Sequence, residues 1–513
     1  MVTLLSGSSL KVVDKLIIQK KNEAQMFIGC DYGIAAELSD FFSFFVPGYK
    51  FMPAYRNKVW DGKIRLFNAQ SCELPLGLLP YVKDFCEKRT YKIEYEDGPY
   101  GAPEQYTDVN PKEIWKFIES LDIHSRGQPI EVRDYQFNAI CEGIRRKRAI
   151  LLSPTGSGKS LVIYVILRWF IEHHDEKVLV IVPTTSLVRQ MFSDFEDYSS
   201  HDQSFIASDE CHVIYSGQPK TNIQERIFIS TWQSIYKLHH TWFEQFGVVF
   251  GDECHGFKSK SLTSIMNKSR NAAYRFGTTG TLDGTQTHQL VLEGLFGKLL
   301  KVTTTKNLQD NNTLAQLDIS LIVLDYPDEI KKDFGKKTYH EEIDYIVTSE
   351  KRNKFIRNLT LHQEGNTLVL FQFVEKHGKV LFDMIEQKAE DGRKVFFVSG
   401  ATEASDREAI RKITEGQKNA IIVASLGTFS TGINIRNLHN IVFASPSKSQ
   451  IKVLQSIGRG LRKSDDGSTT QLFDIADSFQ KGSRKNYSLL HAEERIRIYK
   501  NEKFNYKVYK VSI

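Results

Sequence analysis

The sequence predicts an α/β protein: two tandem parallel-sheet domains behind a small amino-terminal α+β module. Three observations carry this. From about Arg133, apolar β-rich runs alternate with helical patterns: "AILLS", "VLVIVP", "RIFIST", "GVVFGDE". The alternation breaks at a polar stretch, "KNLQDNNTLAQ", then resumes with "TLVLFQF", "KVFFVSG", "AIIVASL" and "NIVFASP". A chain of 513 residues, 41% hydrophobic and 25% charged, can bury more than one core.

Five segments follow from composition. Residues 1–100 form an aromatic-rich accessory module, and 101–125 a Gly/Pro/acid linker with a short helix, "PKEIWKFIESL". Residues 126–312 and 313–485 are the two α/β domains. Residues 486–513, "NYSLLHAEERIRIYKNEKFNYKVYKV" and its end, read as a helix and an alternating strand packing on the second domain.

The bulk properties exclude several classes. A net charge of +6 permits a polyanionic partner without demanding one. The six cysteines form no CxxC pair, which disfavours zinc and thioredoxin chemistry and suits a reducing cytosol. His173-His174 lacks a third ligand at useful spacing and reads as a helix end. The N-terminus has no basic segment before a long apolar run, so no signal peptide is expected. "LVIYVIL" is too short to span a membrane.

Within the accessory module, "YRNKVWDGKIRLF" places Asp61-Gly62 between β-prone runs, the signature of a type I′ hairpin. In that register Val59, Ile64 and Leu66 share a core-like face. Arg56, Lys58, Lys63 and Arg65 share the other with Trp60 and Phe67. Four cations with two rings suit a phosphate backbone with stacked or wedged bases. The plain alternative is a solvated face whose Lys and Arg stems cover the rings.

"AILLSPTGSGKS" carries the chemistry. An apolar strand enters a loop, and a helix-prone segment follows. Gly156 and Gly158 let the backbone wrap a phosphate, with Thr155 and Ser157 in the same cradle. Lys159 reaches the β/γ-phosphates and the Ser160 hydroxyl ligates Mg²⁺. "FGVVFGDECH" supplies Asp252, to hold Mg²⁺, and Glu253, to orient and deprotonate the attacking water. ATP and Mg²⁺ are therefore the expected cofactors.

"SPTGSGKS", "DECH", "TGT" and "QSIGRGLR" occur in the order of the superfamily-two helicase motifs, which this chain resembles. The resemblance implies two RecA-like domains with ATP between them. It assigns Arg133 and Gln136 of "RDYQ" to adenine reading and Gln455 to placing the water. Arg459 and Arg462 become the cations reaching across from the second domain, with Arg462 the favoured finger. His255, Thr279 and Thr281 link hydrolysis to domain movement. Thr184, Thr185, Arg189 and Thr231 track one strand's phosphates from the first domain, and Gly400, Ser430 and Thr431 from the second. One departure stands out: where the pattern has an acid after Gly-Ile, this chain has Asn434, so a ribose or coupling role there is in doubt.

"WDGKIRLF", "PTTSLVRQM" and "NYSLLHAEERIRIYKNEKFNY" together resemble the UvsW family of bacteriophage helicases over nearly the whole chain. That family implies remodelling of branched DNA: branch migration, fork regression and unwinding of D-loops or R-loops in phage replication, recombination and repair. It implies DNA binding by the small N-terminal domain, and a setting in the cytoplasm of an infected bacterium. Phage recombination or single-strand-binding proteins are implied partners, and no membrane is. Alternatives are an RNA or RNA–DNA helicase, or a motor whose main activity is strand annealing. A nuclease-linked motor is disfavoured because "YPDE" has no spaced acid–lysine pair after it.

Overall fold

The structure, a computed structural model, describes residues 15–513 apart from 104–105, 216, 222, 283–284, 312–313, 335–336, 433–436, 446–448, 450–452, 454–456, 459–468 and 484. Two seven-stranded sheets dominate it. The first contains β9 (Arg148–Leu152), β10 (Lys177–Val182), β11 (Cys211–Ile214), β12 (Ile227–Thr231), β13 (Phe246–Asp252), β14 (Tyr274–Thr279) and β15 (Leu299–Lys301). Their order is β11-β12-β10-β13-β14-β9-β15, with every pairing parallel. The central strands β10, β12, β13 and β14 are buried on both faces, which is why they read as continuous apolar runs rather than alternating ones.

The second sheet contains β16 (Leu317–Asp325), β17 (Thr367–Phe371), β18 (Val395–Val398), β19 (Ile421–Ser425), β20 (Asn440–Phe443), β21 (Thr470–Ser478) and β22 (Asn505–Ser512). It runs β18-β19-β17-β20-β21-β16-β22, again parallel throughout. Together the two sheets make the RecA-like pair implied by the motif series. Helix Tyr487–Asn501 and strand β22 complete the second unit. Buried Glu342 accepts from the Tyr487 and Ser488 N–H groups at the helix start. Arg495 and Tyr499 of that helix both donate to buried Asp474, at 2.8 and 2.9 Å.

The amino-terminal module has a four-stranded sheet of β1 (Lys15–Lys20), β2 (Gln25–Gly29), β5 (Glu73–Pro75) and β6 (Lys92–Glu96), ordered β5-β2-β1-β6. Beside it β3 (Ser43–Phe45) pairs antiparallel with β4 (Lys63–Arg65). A short antiparallel pair, β7 (His124–Ser125) and β8 (Gln128–Pro129), precedes the first large sheet.

The β3–β4 pairing corrects the hairpin reading. Pro53 sits in the first turn of helix Pro53–Arg56, so Arg56 is helical and Lys58 lies in a turn at φ 56°. Ile64 pairs with Phe44, not with Val59. Val59, assigned to a core face, is 81% exposed, while Phe67, assigned to the cationic face, is 1% exposed. Gly62 does adopt positive φ (85°), and a Cβ there would strike the Tyr49 ring at 2.3 Å. The Trp60 indole N–H donates to the Lys63 carbonyl at 2.8 Å and braces the turn.

This module is bolted to the first α/β unit. Glu23 bridges Lys20 (2.5 Å) and Arg148 (2.9 Å), and its N–H donates to the Arg270 carbonyl. The Tyr81 hydroxyl donates to buried Glu293, whose carboxylate also caps the Leu299 N–H. A Cβ at Gly77 would lie 2.0 Å from the Glu293 carbonyl, so helix Gln286–Phe296 meets the module backbone to backbone. No helix among the described residues is long and apolar enough to cross a membrane.

Candidate nucleotide and nucleic-acid site

Strand β9 ends at Leu152, and the loop to helix Lys159–His173 turns through Gly156 and Gly158 at φ 83° and 82°. Those left-handed angles aim successive N–H groups into one concavity at a helix N-terminus, the geometry that holds phosphate oxygens. The loop is tied down from outside. Gln136 donates to the Ser157 carbonyl at 2.8 Å while its oxygen accepts the Arg133 N–H at 3.0 Å. Tyr135 reaches the same carbonyl at 3.1 Å and receives the Arg133 guanidinium at 3.0 Å. "RDYQ" is thus fixed directly against the loop. Lys159 donates to the Ser153 and Pro154 carbonyls at 3.1 and 3.4 Å, and Ser160 shares a hydrogen bond with Tyr198 at 2.9 Å.

Asp252 closes β13 two strands away. It accepts from Thr278 at 2.7 Å. Burial, and then the neighbouring Glu253 charge, push its carboxyl above the usual range, while Lys159 is close enough to pull the other way. A hard divalent cation beside Ser160 and Asp252 would relieve this, and the oxygen donor set suits Mg²⁺. Glu253 stands at φ 49°, a left-handed angle that a non-glycine residue adopts only when its surroundings impose it. His255 contacts both Glu253 (3.3 Å) and Thr279 (3.0 Å). Thr279 in turn bonds Thr281. A Cβ on Gly280 would sit 3.7 Å from the Lys159 ammonium. The three coupling candidates therefore form one continuous chain from the acid pair to the phosphate loop.

The second unit closes on this loop. A Cβ at Gly458 would fall 2.9 Å from the Thr155 Cβ, and one at Gly156 would meet Leu314 at 2.7 Å. Between the units lies a cleft of about 360 Å³ lined by Thr155, Gly280, Thr281, Lys301, Gly458 and Glu502. Glu502, unnoticed in the sequence, arrives from the corner after helix Tyr487–Asn501. It accepts from Thr305, and burial raises its carboxyl above the usual range. Gln455, Arg459, Arg462 and Asn434 lie outside the described residues.

The strand-tracking candidates sit at the carboxyl edges of the sheets, where open α/β folds bind ligands. Val182 at the end of β10 pairs with Thr231 at the end of β12, which brings Thr184 and Thr231 to adjacent loops. Thr184 caps helix Thr185–Tyr198, leaving exposed Thr185 in its first turn and exposed Arg189 over the Tyr215 ring. Gly400 follows β18, beside the loop after β19, and among the described residues a Cβ there would have only Thr428 near it. Ser430 and Thr431 belong to helix Leu426–Gly432, but their side chains are outside the described set. The N-terminal cations Arg56, Lys58 and Arg65 are exposed; Arg65 pairs with Asp61, and Lys63 lies over Phe45. That face therefore carries an acid that the hairpin register had not placed there.

One cluster escaped sequence spacing altogether. Ligand atoms of Asp122, His124 and His201 lie within 4.8 Å of one another. The two imidazoles, however, stack at 3.7 Å, which sets their in-plane lone pairs side by side rather than converging on one ion.

Three family models match. "DNA helicase UvsW, N-terminal" covers residues 17–96, "Type III restriction enzyme, res subunit" 129–284, and "Helicase conserved C-terminal domain" 350–464. The ATP-dependent DNA helicase uvsW of Enterobacteria phage T4 is 37% identical over 502 residues, covering 95% of this chain and 97% of that protein. The DNA 3'-5' translocase XPB2 of Sulfurisphaera tokodaii is 23% identical, covering 68% of this chain and 82% of its own. The crystal structure of T4 UvsW superposes with TM-score 0.51 at 34% identity, over 97% of this chain and 99% of that one. The type ISP restriction-modification enzyme LlaBIII bound to DNA matches at TM-score 0.55 and 15% identity, over 83% of this chain and 34% of that one, which speaks to the fold alone.

Proposed function

Because the chain belongs to the UvsW family of ATP-dependent DNA helicases, we propose that it is a motor for branched DNA, driving branch migration, fork regression and the unwinding of D-loops or R-loops. The observation that carries the reading is the close packing of Gly458 on Thr155. It puts the second unit against the phosphate loop at the residue immediately before Arg459. Nucleotide chemistry and the relative position of the two units are then one coordinate.

In this reading the roles are as follows. The loop N–H groups and Lys159 hold the β/γ-phosphates. Arg133, with the unused N–H of Gln136, reads adenine. Ser160 and Asp252 would hold Mg²⁺ together with the nucleotide, and the ion would supply positive charge to the phosphate oxygens. Glu253 accepts the proton of the attacking water, which Gln455 helps to place. Arg459 and Arg462 stabilise charge on the transferring phosphoryl group. Loss of the γ-phosphate is relayed through His255, Thr279 and Thr281, and the units part. Thr184, Thr185, Arg189 and Thr231 on one side, and Gly400, Ser430 and Thr431 on the other, then grip the strand one step along.

The test is Lys159→Ala in an ATPase and unwinding panel across single strands, duplexes, forks, four-way junctions and R-loops. The wild type should turn over fastest with branched substrates. The variant should lose remodelling on all of them while keeping most of its DNA affinity. Normal turnover in the variant would refute the motor assignment, and equal stimulation by every DNA would refute the preference for branches.

A further inference from the structure

We propose that the cleft between the amino-terminal module and the first α/β unit holds a single-stranded arm of the branched substrate, apart from the strand that the motor grips. The proposal rests on the DNA-motor reading and adds a second strand site to it.

The cleft has a volume of about 680 Å³, with Lys21, Arg65 and Tyr100 on one wall and Asn267 and Arg270 on the other. Its charged groups are three cations against one carboxylate, Glu73. Lys21 pairs with Glu73, and Arg65 with Asp61. Both cations are well exposed, so a phosphate can take over either at little cost. Arg270 is exposed, and among the described residues only its backbone is bonded: its N–H to Lys268 and its carbonyl to Glu23.

The amides add to the donor surplus. The Asn22 oxygen accepts the Ala24 and Gln25 N–H groups, and the Asn68 oxygen accepts those of Gln70 and Ser71. Among the described residues, each side chain keeps its NH₂ for a ligand. Tyr100, 36% exposed, offers a ring for a base. Cationic groups, amide donors and one aromatic face fit a phosphodiester strand with unstacked bases.

Position makes this a second site. Arg270 precedes β14 and so lies at the amino edge of the parallel sheet, whereas Thr184 and Thr231 lie at the carboxyl edge. Strands of six residues separate those edges by about 20 Å. A strand held along the carboxyl edge in the motor's path is separated from the cleft by the depth of the sheet. A branched molecule can send a different arm to each edge. The walls are also fixed relative to one another by Glu23–Arg148 and Tyr81–Glu293, so the slot is formed in advance.

The test uses the full chain with Lys21→Glu, Arg270→Glu and the double variant. Binding is measured to a fork with two single-stranded arms and to a short linear single strand, over a salt series. Linear-strand affinity and the ATPase it stimulates should stay within twofold of wild type, which also reports an intact fold. Fork affinity should fall about tenfold in the double variant. The salt slope should shrink by about 0.7 for each phosphate no longer held. Asn267→Cys bearing a photo-crosslinker should attach to a fork arm. Unchanged fork affinity with normal ATPase would overturn the proposal. So would an equal loss on the linear strand, or a crosslink that forms as well to linear DNA. Failure of the motor reading looks different: the wild type itself would show no DNA-stimulated ATPase.

Discussion

Replacing Glu23 with glutamine removes one negative charge from among two buried cations, Lys20 and Arg275, and the part-buried Arg148. Lys20 and Glu23 are 2% and 6% exposed, and the Glu23 carboxylate lies 2.5 Å from the Lys20 ammonium and 2.9 Å from the Arg148 guanidinium. Burial lowers the proton affinity of Lys20, Arg148 and Arg275, the last to about 9, and Glu23 supports the charged form of all three. Glutamine keeps the shape and one acceptor but supports none of the charges. Breaking a buried pair this way costs about 3–5 kcal/mol. At 1.36 kcal/mol per decade that is roughly 150-fold to 5,000-fold in the docking equilibrium. Lys20 offers partial relief by shedding its proton. Its folded pKa is already below the unfolded value, so the unfolded chain binds more protons in that window and stability rises with pH. The defect should therefore be largest at pH 7 and shrink toward pH 9.5. Amide hydrogen exchange over residues 15–96, with urea unfolding at both pH values, measures it. Lys20→Met in the Glu23→Gln background should recover a large part of the loss. A Glu23→Gln protein within about 0.5 kcal/mol of wild type at pH 7 would show that these cations are hydrated and that the electrostatic account of the joint is wrong.

Two further outcomes concern the nucleotide site. Gly158→Ala places a Cβ 2.3 Å from the Gln136 amide nitrogen at a left-handed angle, and should weaken binding of a fluorescent ATP analogue at least tenfold; affinity within twofold of wild type would mean the loop yields freely. Glu253→Gln should bind the analogue normally and reduce single-turnover hydrolysis at least a hundredfold, and a wild-type rate would take Glu253 out of the base role.

The α/β architecture was legible because strands buried on both faces leave uninterrupted apolar runs, and the phosphate loop because its glycines serve local geometry. The Asp252–Glu253 pair was legible by its place at a strand end. The accessory module was not. Asp-Gly correctly marks a turn, but a dipeptide does not say which strand lies opposite. Here Pro53 starts a helix that removes the adjacent segment from pairing, and Ser43–Phe45 takes its place. The proline was the available signal. Glu502 and Arg270 were beyond sequence reach for another reason. Each acquires its setting from residues far away in the chain, Glu502 beside Thr305 and Arg270 facing Lys21, and no local pattern encodes such a meeting.

The joint around Glu23 and Gly77 also has a dimension in time. Tyr81 precedes its partner Glu293 by 212 residues, which at about 5–20 residues per second takes about 10–40 s to synthesise. Leu290, from the same late helix, is part of the module's own buried cluster. The module, synthesised before that helix, therefore waits, with an apolar flank and a buried-type lysine in water, for a seat not yet made. Its resistance to misassociation during that interval is set by the nascent chain, and the finished fold carries no trace of it.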